Sequence, residues 1–126
     1  MDLSDLKFDA EGLIPAVICD HETKDVLMVG YMNAASFQAT VETGHATFWS
    51  RSRQKFWVKG ETSGHFQHVQ WIRLDCDGDC LVIGVVQEGA ACHAGYRTCF
   101  YRELRDGQWQ LVCEQVFDPE EKYGRG

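Results

Sequence analysis

The segment Cys92-His93-Ala94-Gly95-Tyr96-Arg97-Thr98-Cys99 carries two thiols and an imidazole within eight residues. Thiolates ligate zinc at about 2.3 Å, and imidazole exchanges protons near neutral pH. The gap between the two cysteines is wider than the two to four residues of ordinary zinc knuckles. On a continuous helix, residues seven apart lie about 10 Å apart along the axis, too far for one metal. A shared metal therefore requires a turn between them, and Gly95 is placed to allow one. The other reading of the pair is two buried cysteines acting as small hydrophobes in a strand. Two thiols leave a zinc site at least one ligand short, and Cys76 is the natural candidate for the third. Three cysteines with an open fourth position make a catalytic zinc arrangement, not a closed structural one. Cys19, Cys80 and Cys113 sit inside apolar patterns and are expected in the core.

Cys76 lies inside Asp75-Cys76-Asp77-Gly78-Asp79, which places three carboxylates within five residues. Hard oxygen ligands of this kind suit Mg²⁺ or Mn²⁺. The run is not an EF-hand loop, because its glycine falls at position four and Val86 occupies position twelve. A solvated acidic turn at a strand end is the plain alternative. If Asp75–Asp77 is extended, the two aspartates point to one face and Cys76 to the other. The two residue types would then serve different sites or different subunits.

A third cluster is basic. Between Thr43 and Gly60 stand Arg51, Arg53, Lys55 and Lys59, with no acid. Ser50-Arg51-Ser52-Arg53, followed by Lys59-Gly60-Glu61-Thr62-Ser63-Gly64, combines guanidinium groups, hydroxyls and glycines. That mix suits phosphate, through bidentate contacts, hydroxyl donors and approachable backbone amides. Trp49, Phe56 and Trp57 would flank a base or pack the core. An exposed basic strand face is the alternative.

Composition limits what these clusters serve. The chain has 126 residues, 44% hydrophobic and 25% charged, as in a single soluble globular domain. Its net charge is −7, and because the basic window is +4, the remainder is −11. So acidic a chain is not expected to bind nucleic acid or an anionic membrane. A small phosphorylated ligand fits better. The N-terminus shows no basic stretch followed by an apolar one, and no apolar run approaches the roughly 20 residues of a membrane helix. A cytoplasmic protein with reduced thiols is the expectation.

The elements that must hold these clusters are mostly strands. Leu13–Cys19 and Val26–Met32 are apolar and β-branched, with Lys24-Asp25 in the turn between them. Asn33 caps a helix from about Ala34 to Glu42, whose Phe37 and Val41 share a face, and Gly44 ends it. Strands resume at Ala46–Arg51, Phe56–Val58, Phe66–Leu74, Leu81–Gln87 and Thr98–Leu104. Asp106-Gly107 is a two-residue hairpin turn leading to Trp109–Cys113. The first nine residues and the tail from Asp118 are polar and expected to be loosely held. The pattern predicts an α+β domain, mainly β: a small twisted antiparallel sheet, or a barrel-like domain, with one short helix.

Taken in order, Leu13-Ile14-Pro15-Ala16, Val26-Leu27-Met28, Tyr31-Met32-Asn33, Ser50-Arg51-Ser52-Arg53, Trp57-Val58-Lys59-Gly60-Glu61-Thr62-Ser63-Gly64, the acidic run and Cys92-His93-Ala94-Gly95 with Cys99-Phe100-Tyr101 resemble the phosphoribosyl-AMP cyclohydrolase family of histidine biosynthesis. The likeness spans about residues 12–113. Cys19, Gly30, Cys80 and Ala94 depart from the family's usual residues, and none of them is a proposed ligand. The resemblance implies Zn²⁺ held by Cys76, Cys92 and Cys99, with Cys76 supplied by the partner of an intertwined homodimer. It also implies Mg²⁺ on Asp75, Asp77 and Asp79. It implies hydrolysis of the N1–C6 bond of 1-(5-phosphoribosyl)-AMP. Imidazole chemistry beside Cys92 makes His93 the expected general base, a hydrogen bond that orients the site being its other reading, and Arg51, Arg53, Lys59 and Ser63 are expected to hold the two phosphates. A single cyclohydrolase domain over residues 1–126, with no fused pyrophosphohydrolase domain, is expected. Two alternatives are a zinc nucleotide deaminase, whose His-x-Glu and Cys-x-x-Cys pattern is absent here, and a non-catalytic zinc-binding module.

Overall fold

The computed structural model describes residues 3–116. The expected loose tail from Asp118 lies outside the described residues. Along the chain come β1 (Ile14–Asp20), β2 (Val26–Met32), α1 (Ala34–Thr43), β3 (Thr47–Ser50), β4 (Lys55–Val58), β5 (Gln67–Leu74), β6 (Leu81–Gln87), β7 (Arg102–Arg105) and β8 (Gln108–Leu111). The fold is small and mainly sheet with one helix, an α+β arrangement as expected.

Alternating side chains build the centre. Ile14, Ala16 and Ile18 of β1 and Leu81, Ile83 and Val85 of β6 are buried together with Leu27, Met32 and Phe48. Each large aliphatic side chain so buried contributes about 1.5–3 kcal/mol. The main sheet runs β2-β1-β6-β5. Two expectations are corrected here. The sheet is mixed, because β1 and β6 pair in parallel from Ala16↔Leu81 to Asp20↔Val85. No closed barrel forms among the described residues; the hairpins β3–β4 and β7–β8 are separate two-stranded sheets. Parallel pairing joins segments far apart in sequence, so no local periodicity announces it.

Local chemistry sets the other elements. Asn33 and Ser36 form a reciprocal capping box, and Gly44 closes α1 at φ 77°. The helix buries Ser36, Phe37 and Thr40, while Val41 is exposed. Thr40 displaces Val41 from the inner face because its hydroxyl donates to Ser36 O at 2.9 Å and accepts from Thr47 N at 3.0 Å. Asp106 and Gly107 turn the last hairpin at φ 51° and 76°, as expected. At Gly30, the Phe48 ring fills the space a Cβ would need.

The N-terminal segment is held, not loose. Leu3, Leu6 and Phe8 pack against the core, and Lys7 N donates to Gly78 O at 2.7 Å. Cys19 is buried as expected, whereas Cys80 and Cys113 are only half-buried. Among the described residues no helix is long and apolar enough to cross a membrane.

Candidate metal centre

The two cysteines of the Cys-His segment meet across a tight turn. Gly95 adopts φ 93°, and its N–H donates to Cys92 O at 3.0 Å. Cys92 N and Ala91 N in turn donate to Tyr96 O and Arg97 O. The segment from Thr98 to Cys99 is not strand, contrary to expectation. It is tied to β2 instead, with Thr98 Oγ1 donating to Val26 O at 2.7 Å and Cys99 N to Leu27 O at 2.7 Å. The result brings the Cys92 and Cys99 thiols near enough for each to act electrostatically on the other. Cys92 is buried. Cys99 is exposed as a residue, yet its sulfur is crowded. Burial, then the neighbouring Cys92, pushes its thiol up to about 11.

Two neighbouring thiols suit a thiophilic metal, because bound zinc takes the place of their protons. Among the described residues no third thiol, imidazole or carboxylate of the same chain converges on the pair. Cys76 is exposed in the β5–β6 turn and is not brought to Cys92 and Cys99 within one chain. His93 sits in the turn itself, exposed.

Lys59 does reach the pair. Its Nζ donates to Ala91 O, one residue before Cys92. Burial pushes the Lys59 ammonium below its ordinary value, while the charges of Cys99 and Cys92 oppose that shift.

The acidic run forms a tight turn between β5 and β6, the plainer of the two geometries the sequence left open. Asp75 N donates to Cys80 O at 3.1 Å, Gly78 N to Asp75 O at 3.1 Å and Asp79 N to Asp75 Oδ1 at 3.0 Å. Gly78 has φ 77°, and a Cβ there would lie 2.7 Å from Asp5 O, so only glycine fits beneath the N-terminal segment. The turn gathers Asp75, Asp77 and Asp79, all exposed, with carboxylate oxygens within 4.8 Å of one another. Octahedral Mg²⁺ with oxygens at about 2.1 Å needs spacings of about 3–4 Å, so the donor set fits. The carboxylates act on one another. Asp79 is raised by its hydrogen bond to Asp75 and then by the charges of Asp75 and Asp77. Slight desolvation pulls Asp75 up, but donors from Asp79, Gly78 and Cys80 outweigh it and hold this carboxyl low.

Arg51 and Arg53 lie in the four-residue turn of the β3–β4 hairpin, where Ser50 pairs with Lys55. Ser50 Oγ accepts from Arg53 N at 3.2 Å. Arg51 stacks over Tyr31, 4.0 Å from the ring centre. Arg51 and Trp49 line both a cavity of about 540 Å³, toward Glu11 and Asn33, and an open groove of about 510 Å³, toward Tyr31, Ser52 and Trp57. The Trp57 ring lies 5.9 Å from Lys59 Nζ, which connects this groove to the thiol pair. Ser63, half-buried, turns the next loop by accepting from His65 N at 3.1 Å.

Three residues gain importance that sequence reasoning did not give them. His65 is not an exposed strand histidine. It is half-buried outside any strand, and its Nδ1 accepts from Ala90 N at 3.2 Å. Its ring lies where a Cβ on Gly89 would sit. Arg97, between the two cysteines, spans Asp20 and Asp25, each at 3.1 Å. It is the one formal charge between Gly89 and Cys99, which is the signal that could have marked it. Tyr31, beneath Arg51, carried no such signal.

Comparison with known proteins shows the family. The sequence profile of phosphoribosyl-AMP cyclohydrolase matches residues 28–101. A phosphoribosyl-AMP cyclohydrolase of Chlorobaculum parvum is 52% identical over 124 residues, 98% of this chain and 90% of that protein. One from Cereibacter sphaeroides is 56% identical over 115 residues, 91% and 97% of the two chains. The homologue of Magnetococcus marinus is 49% identical over 98% of this chain and 96% of its own. With its thiol pair, acidic turn and basic hairpin inside or beside the matched span, the chain belongs to the phosphoribosyl-AMP cyclohydrolase family.

Proposed function

We propose that this protein hydrolyses the N1–C6 bond of 1-(5-phosphoribosyl)-AMP, opening the purine ring in histidine biosynthesis. The observation that carries this reading is the Gly95 turn, which folds the chain so that Cys92 and Cys99 become electrostatic neighbours. Cys92 and Cys99 of one chain, with Cys76 of a second copy, would hold zinc. Zinc bound there supplies Lewis acidity that activates water near neutral pH. Asp75, Asp77 and Asp79 would hold Mg²⁺. His93, in the turn between the zinc ligands, takes a proton from the attacking water on a ring nitrogen. It then returns the proton to the departing N1. Arg51, Arg53 and Ser63 hold the two phosphates, and Trp49 and Trp57 flank the nucleotide. Lys59 links the Arg51 groove to the thiol pair.

The homodimer has its own support. Among the described residues β7 and β8 pair only with each other, and all eight of their residues are exposed. Leu104, Trp109 and Leu111 are 57%, 67% and 62% exposed. An isolated two-stranded hairpin carrying such side chains is marginal in water unless something covers it. A second copy covering it would also bring the third thiol. Trp109→Glu should therefore weaken self-association about 10²-fold or more. Sedimentation would show monomer at concentrations where the wild type is dimeric, and activity should rise steeply with protein concentration. An unchanged dimer would move the interface elsewhere.

Arg51→Gln should raise KM about tenfold or more, from the loss of a charge-assisted phosphate contact, and change kcat less. A KM that stays native would remove Arg51 from the phosphates. The reading itself is tested by spectrophotometric assay with phosphoribosyl-AMP. Ring opening should proceed, stop with a chelator and return with zinc. Tight zinc without turnover would mark a non-catalytic module, and release of ammonia would mark a deaminase.

A further inference from the structure

Lys59 follows β4, and its backbone N–H is fixed to Ala46 O at 3.0 Å. Its ammonium ends at the Ala91 carbonyl, one residue before Cys92, within electrostatic reach of Cys92 and Cys99. Among the described residues no carboxylate lies within ion-pair distance of Nζ. A cation withdrawn from water without a carboxylate is costly, so this position needs another source of negative charge. The thiol pair is that source. Three thiolates on a divalent metal leave one net negative charge, and one ammonium offsets it.

We propose that Lys59 is a positioning residue of the metal centre: its ammonium ties the Ala91 carbonyl to the thiol pair and offsets the charge of the assembled ligands. The inference rests on the metal reading given above, and it places Lys59 at the metal, not the phosphates. Its stem packs toward Trp57, so a methionine there keeps the bulk and loses only the charge.

Cobalt(II) is a suitable probe, because each thiolate bound to it adds near-ultraviolet absorption. Full-length wild type, Lys59→Met, Lys59→Gln and Lys59→Arg would be titrated against a competing chelator, with thermal melting recorded for each. The wild type should show thiolate–cobalt absorption. The methionine and glutamine variants, melting normally, should bind cobalt about 10–100-fold more weakly, as when a partner of metal ligands is removed, and with weaker absorption per cobalt. The arginine variant, which keeps the charge, should recover part of the affinity. Native affinity and absorption in either neutral variant would overturn the proposal. So would an arginine variant that folds yet binds no better than methionine. A wild type without thiolate–cobalt absorption would instead remove the metal reading, and this inference with it.

Discussion

Cys92→Ala and Cys99→Ala should each turn over phosphoribosyl-AMP at least about 10³-fold more slowly than the wild type, with loss of bound zinc. A factor of 10³ corresponds to about 4 kcal/mol of barrier, the scale of a metal's contribution to activating water. The two thiols occupy one position through the Gly95 turn and the anchoring of Cys99 N on Leu27 O, so neither replaces the other. Folding should survive, because Cys99 is exposed and the hydrogen bonds of the turn come from the backbone. Cys113→Ala is the control. Cys113 is half-buried and lies outside the motif, so its loss should leave zinc stoichiometry unchanged. Metal analysis beside the rate measurement separates loss of the centre from loss of the fold. Native turnover in either mutant would show that the pair does not hold the metal that drives the reaction.

His93→Ala should slow kcat by about 10²-fold or more while zinc content stays native. The side chain is exposed in the turn between two proposed ligands, so it is free to meet substrate and its removal opens no cavity in the core. The loss should show in the pH profile as well. Its shape should change, because the proton must then pass to another group. Near-native kcat with zinc in place would assign proton transfer to another group.

Much of this was legible in sequence where the controlling forces are local. The alternation in β1 and β6, the Asn33 cap, the Asp106-Gly107 hairpin and the turn demanded by two cysteines seven apart each follow from neighbours in the chain. What failed depends on distant partners. Nothing near Ala16 announces that Leu81 will pair with it in parallel. The acidic run left extended and turn geometry both open, and the carbonyl of Cys80 and the carboxylate of Asp75 decide it by taking up the backbone N–H groups and folding it into a turn. The outcome for chemistry is the same, since the three carboxylates still converge. Lys59 shows a different limit. Its charge and its neighbours Gly60 to Gly64 suggest phosphate, but the direction of its stem is set by the packing of β4 against the segment carrying Cys92, over thirty positions away.

The central claim is that two copies of the chain build one centre, with Cys92 and Cys99 from one and Cys76 from the other. Mixing Cys76→Ala with Cys92→Ala, under conditions where subunits exchange, tests it most directly. Each protein alone should be inactive. In a mixed dimer one centre would receive all its defects and the other none, so equal mixing should restore about a quarter of wild-type activity, with zinc to match. Mixed dimers that form, as mass spectrometry would show, and yet remain inactive would contradict a centre shared between subunits.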